Sequence, residues 1–226
     1  MSGATLLMLL RLASPSLPVG GFSYSEGVES AVDSGRVGNE AQVLDWLRDQ
    51  LHLGLARSDL PVLAGALLGW RSGDFERLAE WNLWFATTRE TSEMRQQTEQ
   101  MARSLSQWLR NRSGSEPRLA TLEALTPAPT WPVAFALAAA LTDAEAVDAS
   151  LAFAAGWAEN LVQAAMKSVP LGQLAGQRIL DTLALEIPAA VEIARGVGFD
   201  DLQAFTPMLA ILSSQHEVQY SRLFRS

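Results

Sequence analysis

The chain of 226 residues carries few of the side chains that usually bind metals or act in catalysis. It has two histidines, His52 and His216, and no cysteine, so thiolate metal sites, disulfides and Cys nucleophiles are excluded. Neither histidine lies in an H-E-x-x-H pattern or in another spacing that assembles a metal site by itself. His52 stands beside a leucine stripe, which favours a structural role. The two histidines therefore predict no metal site.

The segment "SPSLPVGGFSYSEGVE", residues 14–29, is the second place where chemistry could be sought. Its two adjacent glycines do not form a Walker A loop, because no Lys follows them and no strand precedes them. "GGFSYS" also lacks the strand–turn–helix setting of a Ser nucleophile. Glu26 and Glu29 share a helical face, where solvated acids at a helix start are common. The pattern favours a protein that works by binding.

The composition indicates a globular chain with an acidic surface. Nearly half of the residues are apolar (48%), and the net charge is −8 with a pI of about 4.8, which argues against nucleic acid or an anionic membrane as the main partner. The apolar stretch at residues 131–157 contains Asp143, Glu145 and Asp148, so no membrane span is predicted. The N-terminal apolar run has no basic residue before it and Arg11 within it, which disfavours a secretory signal. A cytoplasmic location is the expectation.

The elements that must position any site are predicted to be helices. Alternating β-branched runs bounded by tight turns are almost absent. Asn39 and Gln42 form a capping box, and Thr142 with Glu145 predicts the start of a long helix that ends near Ser168. A separate helix is predicted from about Pro188 to Val197. Four apolar residues share one face of the helix after Asn39: Val43, Leu47, Leu51 and Leu55. The sequence predicts an all-α protein.

Four segments, met in order along the chain, resemble the F-type urease accessory protein family, UreF. They are "LASPSLPVGGFSYSEGVESAVDSGRV", "DLPVL" followed by "ATTRETSEMR", "WAENLVQAAMKSVPLGQLAGQRIL", and the tail "QHEVQYSRLFRS". Each alone is a weak signal, but together they are specific. The resemblance implies one domain, residues 1–226, of about ten helices.

The resemblance also implies how the protein works. It implies a homodimer that joins a D-type (also called H-type) scaffold and a G-type GTPase. That complex delivers nickel to apo-urease in a GTP-dependent step. A member of the family is not itself an enzyme, and it binds no cofactor stably, although nickel passes through the complex.

The loop with two glycines is then a candidate partner surface. Gly20 and Gly21 permit positive φ and a close backbone approach, whereas Pro18 stiffens the preceding chain. The resemblance implies that Phe22 and Tyr24 are held toward a partner, the GTPase. The competing interpretation folds both aromatic side chains back onto the core as a lid.

Polar residues elsewhere are further candidates for partner contacts. "TRETSEMR" places Arg89 and Glu90 at a predicted helix start, where capping and solvated charge compete with an interface role. Lys167, the one lysine of the chain, lies near a helix end, where a cation suits the helix dipole, and it is also a candidate GTPase contact. Glu29 completes this group.

The C-terminal tail allows two interpretations. If the preceding helix continues, one stripe contains Leu209, Leu212, His216, Tyr220, Leu223 and Phe224, with Arg222 and Arg225 opposite. This stripe could be the last core helix. The resemblance favours instead a tail that is flexible from about residue 215 and orders on the scaffold, with Tyr220, Leu223 and Phe224 as contacts and the arginines paired with partner carboxylates.

Two other classes of function remain open from the residues alone. A haem-oxygenase-like helical enzyme of the thiaminase type has a similar length and helical content, but the absence of Cys counts against its nucleophile. A generic helical scaffold without a role in metal delivery is the other alternative.

Overall fold

The computed structural model describes residues 1–113 and 116–225, and these contain helices and no strand. The eleven α-helices in these ranges are α1 Gly3–Ala13, α2 Val28–Asp33, α3 Glu40–Asp49, α4 Asp59–Ser72, α5 Phe75–Thr87, α6 Ser92–Ser113, α7 Arg118–Glu123, α8 Trp131–Ala140, α9 Ala146–Ser168, α10 Gln173–Arg195 and α11 Pro207–Glu217. A π-helical turn, Gln50–Leu55, follows α3. The predicted all-α fold of about ten helices is confirmed.

Helix α8 is buried along almost its whole length. Every residue from Pro132 to Ala140 is buried, because the helix is apolar on all sides. It packs most extensively against α4 and α6, while α9 packs against α1 and α10. Phe135 of α8 contacts Phe153 of α9 edge to face, with ring centroids 5.1 Å apart. The result is one connected core that extends along the chain from Met8 to Leu212.

The local signals at the start of α3 were sufficient to predict it. The Asn39 side chain accepts a hydrogen bond from the Gln42 backbone N–H (3.1 Å), and the Gln42 side chain accepts one from the Gly38 backbone N–H (2.9 Å). The predicted apolar face is buried at all four of its positions: Val43, Leu47, Leu51 and Leu55.

Two local predictions were wrong. Thr142 does not cap α9: its hydroxyl donates to the Ala139 carbonyl and accepts from the Ala144 N–H, and α9 begins after Glu145 without a side-chain cap. Pro188 does not start a new helix but lies inside α10. Ile179, Leu183, Ile187 and Val191 are buried on both sides of Pro188, and this continuous burial holds the helix together.

One helical run among the described residues is long enough to cross a membrane. It spans Glu40–Ser72, with a mean hydropathy of 1.2 in its most apolar window. Within the fold, 56% of that window is buried. The core helix of a globular protein has the same length and composition, so this run is weak evidence for a membrane span.

Helices α1 and α9 approach so closely that one position admits only glycine. A Cβ atom on Gly156 of α9 would lie 2.9 Å from the carbonyl oxygen and 3.1 Å from the Cα of Ala13, which ends α1. Both atoms belong to the backbone and cannot rotate away. The loop that follows Ala13 is therefore fixed against α9 at its first residue.

Gly156→Ala should lower the thermal midpoint of unfolding, because α1 must move away from α9. Overpacking of this kind costs about 1–3 kcal/mol, more than the roughly 0.5–1 kcal/mol that Ala gains over Gly within a helix. Gly3→Ala is the matched control, since nothing lies within 4 Å of a Cβ there. Equal midpoints for the two variants in a thermal melt followed by circular dichroism would contradict the close approach.

Candidate partner-binding site

The C-terminal residues return to the body of the protein after α11 ends at Glu217. The Glu217 carboxylate accepts hydrogen bonds from the Ser92 backbone N–H (2.7 Å), the Ser92 hydroxyl (2.6 Å) and the Glu93 N–H (3.2 Å). These contacts lower the pKa of Glu217, and the hydrogen bond from the Ser92 hydroxyl has the largest effect. The side chain at the end of α11 thereby caps the start of α6.

His216 connects three elements in the interior. Its side chain is fully buried, with Nδ1 2.7 Å from Oε2 of Glu93 on α6 and Nε2 3.1 Å from Oε2 of Glu29 on α2. The two carboxylates keep 8% of their side-chain surface exposed. The end of α11 is thus held between α2 and α6 by polar contacts that are nearly closed to water.

The residues after α11 bind the same two carboxylates. Glu29 accepts hydrogen bonds from the backbone N–H groups of Leu223 (2.7 Å) and Phe224 (3.0 Å). Arg222 donates to Oε1 of Glu93 at 2.7 Å. We call Glu29, Glu93, His216 and Arg222 the tail cluster.

Phe224 and Arg225 complete the attachment. The Phe224 side chain is 7% exposed, and the Lys167 Nζ lies 5.5 Å from the centroid of its ring. The Arg225 backbone N–H donates to the Ser23 carbonyl at 2.8 Å. The last described residues therefore contact the loop with two glycines, α2, α6 and α9.

The predicted stripe along a continued helix was wrong. The helix ends at Glu217, and beyond it Tyr220 is fully exposed and Leu223 is 70% exposed, whereas Phe224 is buried. The tail is held by hydrogen bonds of its backbone to Glu29 and not by helical periodicity, which is why the pattern misled. Residues 216–225 are packed onto the body here; a tail that is flexible in solution, which the resemblance favoured, is the alternative prediction.

The anchored tail presents apolar side chains to the outside. Val218 (84% exposed), Tyr220 and Leu223 all point away from the body, between the fixed points at His216 and Phe224. Arg222, predicted to pair with a partner, pairs with Glu93 of its own chain and keeps 40% of its side chain exposed. Apolar side chains held on a fixed backbone suit partner binding, since little conformational entropy is lost on association.

The loop with two glycines has the backbone that the sequence predicted. Gly20 adopts φ = 78° with open space around it, as glycine readily does. Gly21 is buried, and a Cβ there would lie 2.8 Å from the Asn160 amide nitrogen. Pro18 is exposed. The loop is therefore fixed from inside and exposed at its bend.

The two aromatic residues of this loop face opposite ways. Phe22 is 55% exposed, whereas Tyr24 is 5% exposed and belongs to the core. The lid interpretation is right for Tyr24 and wrong for Phe22. The prediction that Tyr24 contacts a partner at the surface was wrong, because its ring lies in the core beneath the loop.

Glu26 was expected to be solvated and is instead enclosed. Its backbone is in the left-handed region (φ = 47°), which is uncommon for a residue with a side chain. Gln97 Nε2 donates to Oε1 at 2.6 Å and Trp157 Nε1 donates to Oε2 at 2.9 Å. Burial, followed by repulsion from Asp59, raises the pKa of Glu26. The two hydrogen bonds and the charge of Arg89 lower it, but their effect is smaller, so the pKa is raised overall.

Arg89 and Glu90 lie in the turn between α5 and α6 and not at a helix start. Thr88 ends α5, and the Thr91 hydroxyl accepts from the Met94 N–H near the start of α6. Arg89 keeps 14% of its side chain exposed, stacks over Phe85 at 4.1 Å, and leaves its Nε without a hydrogen-bond partner. Glu90 is exposed.

The remaining candidates separate into surface and interior. Lys167 is exposed at the end of α9, beside the tail. Glu29 is 6% exposed, and both of its carboxylate oxygens contact the tail of its own chain. The prediction that Glu29 contacts a partner directly was therefore wrong. His52 lies at the surface, 3.0 Å from Glu186 Oε2, which fits the structural role that the sequence favoured.

The residues 1–113 and 116–225 contain no group of three His, Asp or Glu side chains that could hold a metal ion. Both ring nitrogens of His216 already face carboxylate oxygens.

Sequence reasoning missed Glu93 and the role of His216, and no local pattern marks either residue. The residues that meet in the tail cluster lie up to 193 positions apart.

Comparison of the sequence with known proteins finds relatives along almost the whole chain. The family model UreF matches residues 37–184. The urease accessory protein UreF of Polaromonas sp. strain JS666 is 62% identical over 223 residues, which cover 99% of this chain and 95% of the relative. Those of Methylibium petroleiphilum and Paracidovorax citrulli are each 59% identical, covering 99% of this chain and 94% and 90% of the relatives.

Glu26→Gln should flatten the dependence of stability on pH. An acid whose pKa is raised by folding contributes fully to the free energy of unfolding below its pKa in the unfolded chain, about 4.3. This contribution is lost as the pH rises through the pKa of the folded state. Gln is uncharged throughout, so the thermal midpoint of the variant minus that of the wild type should increase from pH 5 to pH 8.

Glu40→Gln is the control for this comparison. Glu40 is exposed, and its hydrogen bond with Arg178 lowers its pKa, so its removal should produce no such increase. If the thermal midpoint of Glu26→Gln minus that of the wild type stays constant or falls with pH, the pKa of Glu26 is not raised by its surroundings.

Proposed function

We propose that this chain acts in urease maturation by joining a D/H-type scaffold to a G-type GTPase. The proposal starts from the family: the chain belongs to the UreF family of urease accessory proteins. In this proposal the complex delivers nickel to apo-urease in a GTP-dependent step. The anchored tail is the observation that carries the proposal. It holds Tyr220 and Leu223 outside the body on a backbone fixed to Glu29.

The tail is the proposed contact for the scaffold. Interface energy is concentrated in a few aromatic and apolar residues that become buried. Tyr220 and Leu223 supply two such residues, and Arg222 beside them retains an exposed part that can meet a carboxylate. Phe224 supports this contact from inside, since it is buried beneath Lys167.

The bend at Gly20 is the proposed contact for the GTPase, with Pro18 and Phe22 as its exposed residues. Arg225 ties this loop to the tail through the Ser23 carbonyl. Lys167 lies on the same side, against Phe224. Two partners bound at the loop and at the tail would therefore be neighbours, as a bridging protein requires.

The chain itself is proposed not to be an enzyme. Its relatives are named accessory proteins, and the polar groups of the tail cluster serve to attach the tail. Nickel is the cargo in this proposal, passing through the assembled complex without a stable site in one chain. A homodimer in the cytoplasm is proposed from family membership alone.

Tyr220→Ala should reduce capture of the purified scaffold at least tenfold without changing the thermal midpoint, because the ring makes no contribution to the core. Leu185→Ala is the matched control, since Leu185 on α10 is 83% exposed and distant in the chain from the tail. Capture would be measured by titration in surface plasmon resonance. Equal capture by the two variants would contradict the scaffold contact.

Phe22→Ala should weaken binding of the GTPase to the preformed complex with the scaffold, and leave scaffold binding intact. Loss of an exposed aromatic anchor costs about 1–3 kcal/mol, hence roughly five- to 150-fold in affinity. Tyr24→Phe is the control for the loop, because Tyr24 is buried. If Phe22→Ala binds the GTPase as the wild type does, the loop is not the contact.

A further inference from the structure

The tail cluster contains an imidazole that the proposed partner contacts do not use. His216 is fully buried, and each of its ring nitrogens lies within hydrogen-bond distance of a different carboxylate. A carboxylate oxygen only accepts hydrogen bonds, whereas a neutral imidazole donates from one nitrogen and accepts at the other. Two hydrogen bonds of this geometry require two N–H donors on one ring.

We infer that His216 is the doubly protonated imidazolium, and that this cation is the positioning residue that holds the tail in the conformation presenting Tyr220. The inference about the tail rests on the proposed function; the protonation state rests on geometry alone. Glu29 on α2 and Glu93 on α6 are the groups that face the ring.

The other contacts of the two carboxylates favour this state. Glu29 accepts two backbone N–H groups, those of Leu223 and Phe224, and Glu93 accepts from the Arg222 guanidinium. Such contacts are strongest when the carboxyl group is ionised. A proton placed on either carboxyl would compete with them, so the proton resides on the ring.

Charge balance leads to the same assignment. Two carboxylates, one imidazolium and one guanidinium sum to zero. With a neutral ring the cluster would carry one uncompensated negative charge between two carboxylates that are each 8% exposed, which is costly in the interior. Glu217 and Lys167 lie nearby but are engaged with Ser92 and with the Phe224 ring.

The position of His216 explains how it controls the tail. It lies in the last turn of α11, just before the exposed segment 218–223, and it orients Glu29 through Nε2. Glu29 in turn holds the backbone of Leu223 and Phe224. Loss of one donor on the ring therefore releases the far end of the exposed segment as well as the near end.

Nitrogen NMR of the full chain tests the protonation state directly. His52→Gln removes the other histidine, which lies at the surface, and leaves His216 as the one imidazole in a chain labelled with ¹⁵N-histidine. We expect both ring nitrogens to give protonated signals at pH 7.5. One protonated and one unprotonated nitrogen would overturn the inference.

Glu93→Gln gives a sharper test within the same background. The Gln amide can donate to the ring and still accept from Arg222, so His216 should revert to one protonated nitrogen while the chain stays folded. Two protonated nitrogens in this variant would overturn the assignment, because the second donor would have no carboxylate to require it.

His216→Gln tests the positioning role. One amide cannot donate to both carboxylates, so exchange of the Leu223 and Phe224 amide protons should accelerate at least about tenfold, and scaffold capture should fall. Unchanged exchange would overturn the positioning role. If this variant does not fold, the Glu93→Gln signals still decide the inference. Tyr220→Ala, which leaves the tail cluster intact, tests the scaffold contact separately.

Discussion

The hydrogen bonds received by the Glu29 carboxylate are the interaction on which the candidate site depends. One oxygen accepts from Leu223, and the other lies within hydrogen-bond distance of both His216 and Phe224. Because Glu29 lies on a short helix directly after the loop with two glycines, the same residue fixes both candidate surfaces. The loop with two glycines, α2 and residues 216–225 are therefore joined in one structural unit, although almost the whole chain separates them.

The helical core supplies the frame that this unit needs. Helix α8 is buried throughout, and α9 approaches α1 at Gly156 with no space for a side chain. The loop leaves α1 at this contact, so its position follows from the packing of two helices. Gly20 then turns the chain outward while Gly21 stays against Asn160. A rigid scaffold that carries exposed side chains on fixed loops is a usual arrangement for binding proteins.

Local features of this fold could be predicted from the sequence, whereas contacts between distant segments could not. The capping box at Asn39, the apolar face of α3 and the positive φ of Gly20 depend on neighbours within a few residues, and all three are confirmed. Pro188 was misjudged because its helix is held by burial against other helices. The continuation of the last helix into the tail was wrong, because periodicity carries no information about a carboxylate on α2.

The candidate site shows the same division. Phe22 and Tyr24 are two residues apart and equally aromatic, yet one is exposed and the other belongs to the core. The sequence predicted solvated acids at Glu26 and Glu29 because most acids at a helix start are solvated. Glu29 is buried and Glu26 partly buried, and this becomes evident only from the contacts that Trp157, Gln97 and His216 make with them. The proposed surfaces come from the family resemblance, and the packing decides which side chains reach them.

Hydrogen–deuterium exchange of residues 216–225, followed in the free chain and with the proposed scaffold bound, tests whether Glu29 orders the tail without a partner. We expect the Leu223, Phe224 and Arg225 amides to be protected already in the free chain, since each donates to an acceptor in the body. Scaffold binding should then add protection at Val218–Ser221. Amides that exchange freely until the scaffold binds would show that the tail is ordered by its partner and not by Glu29.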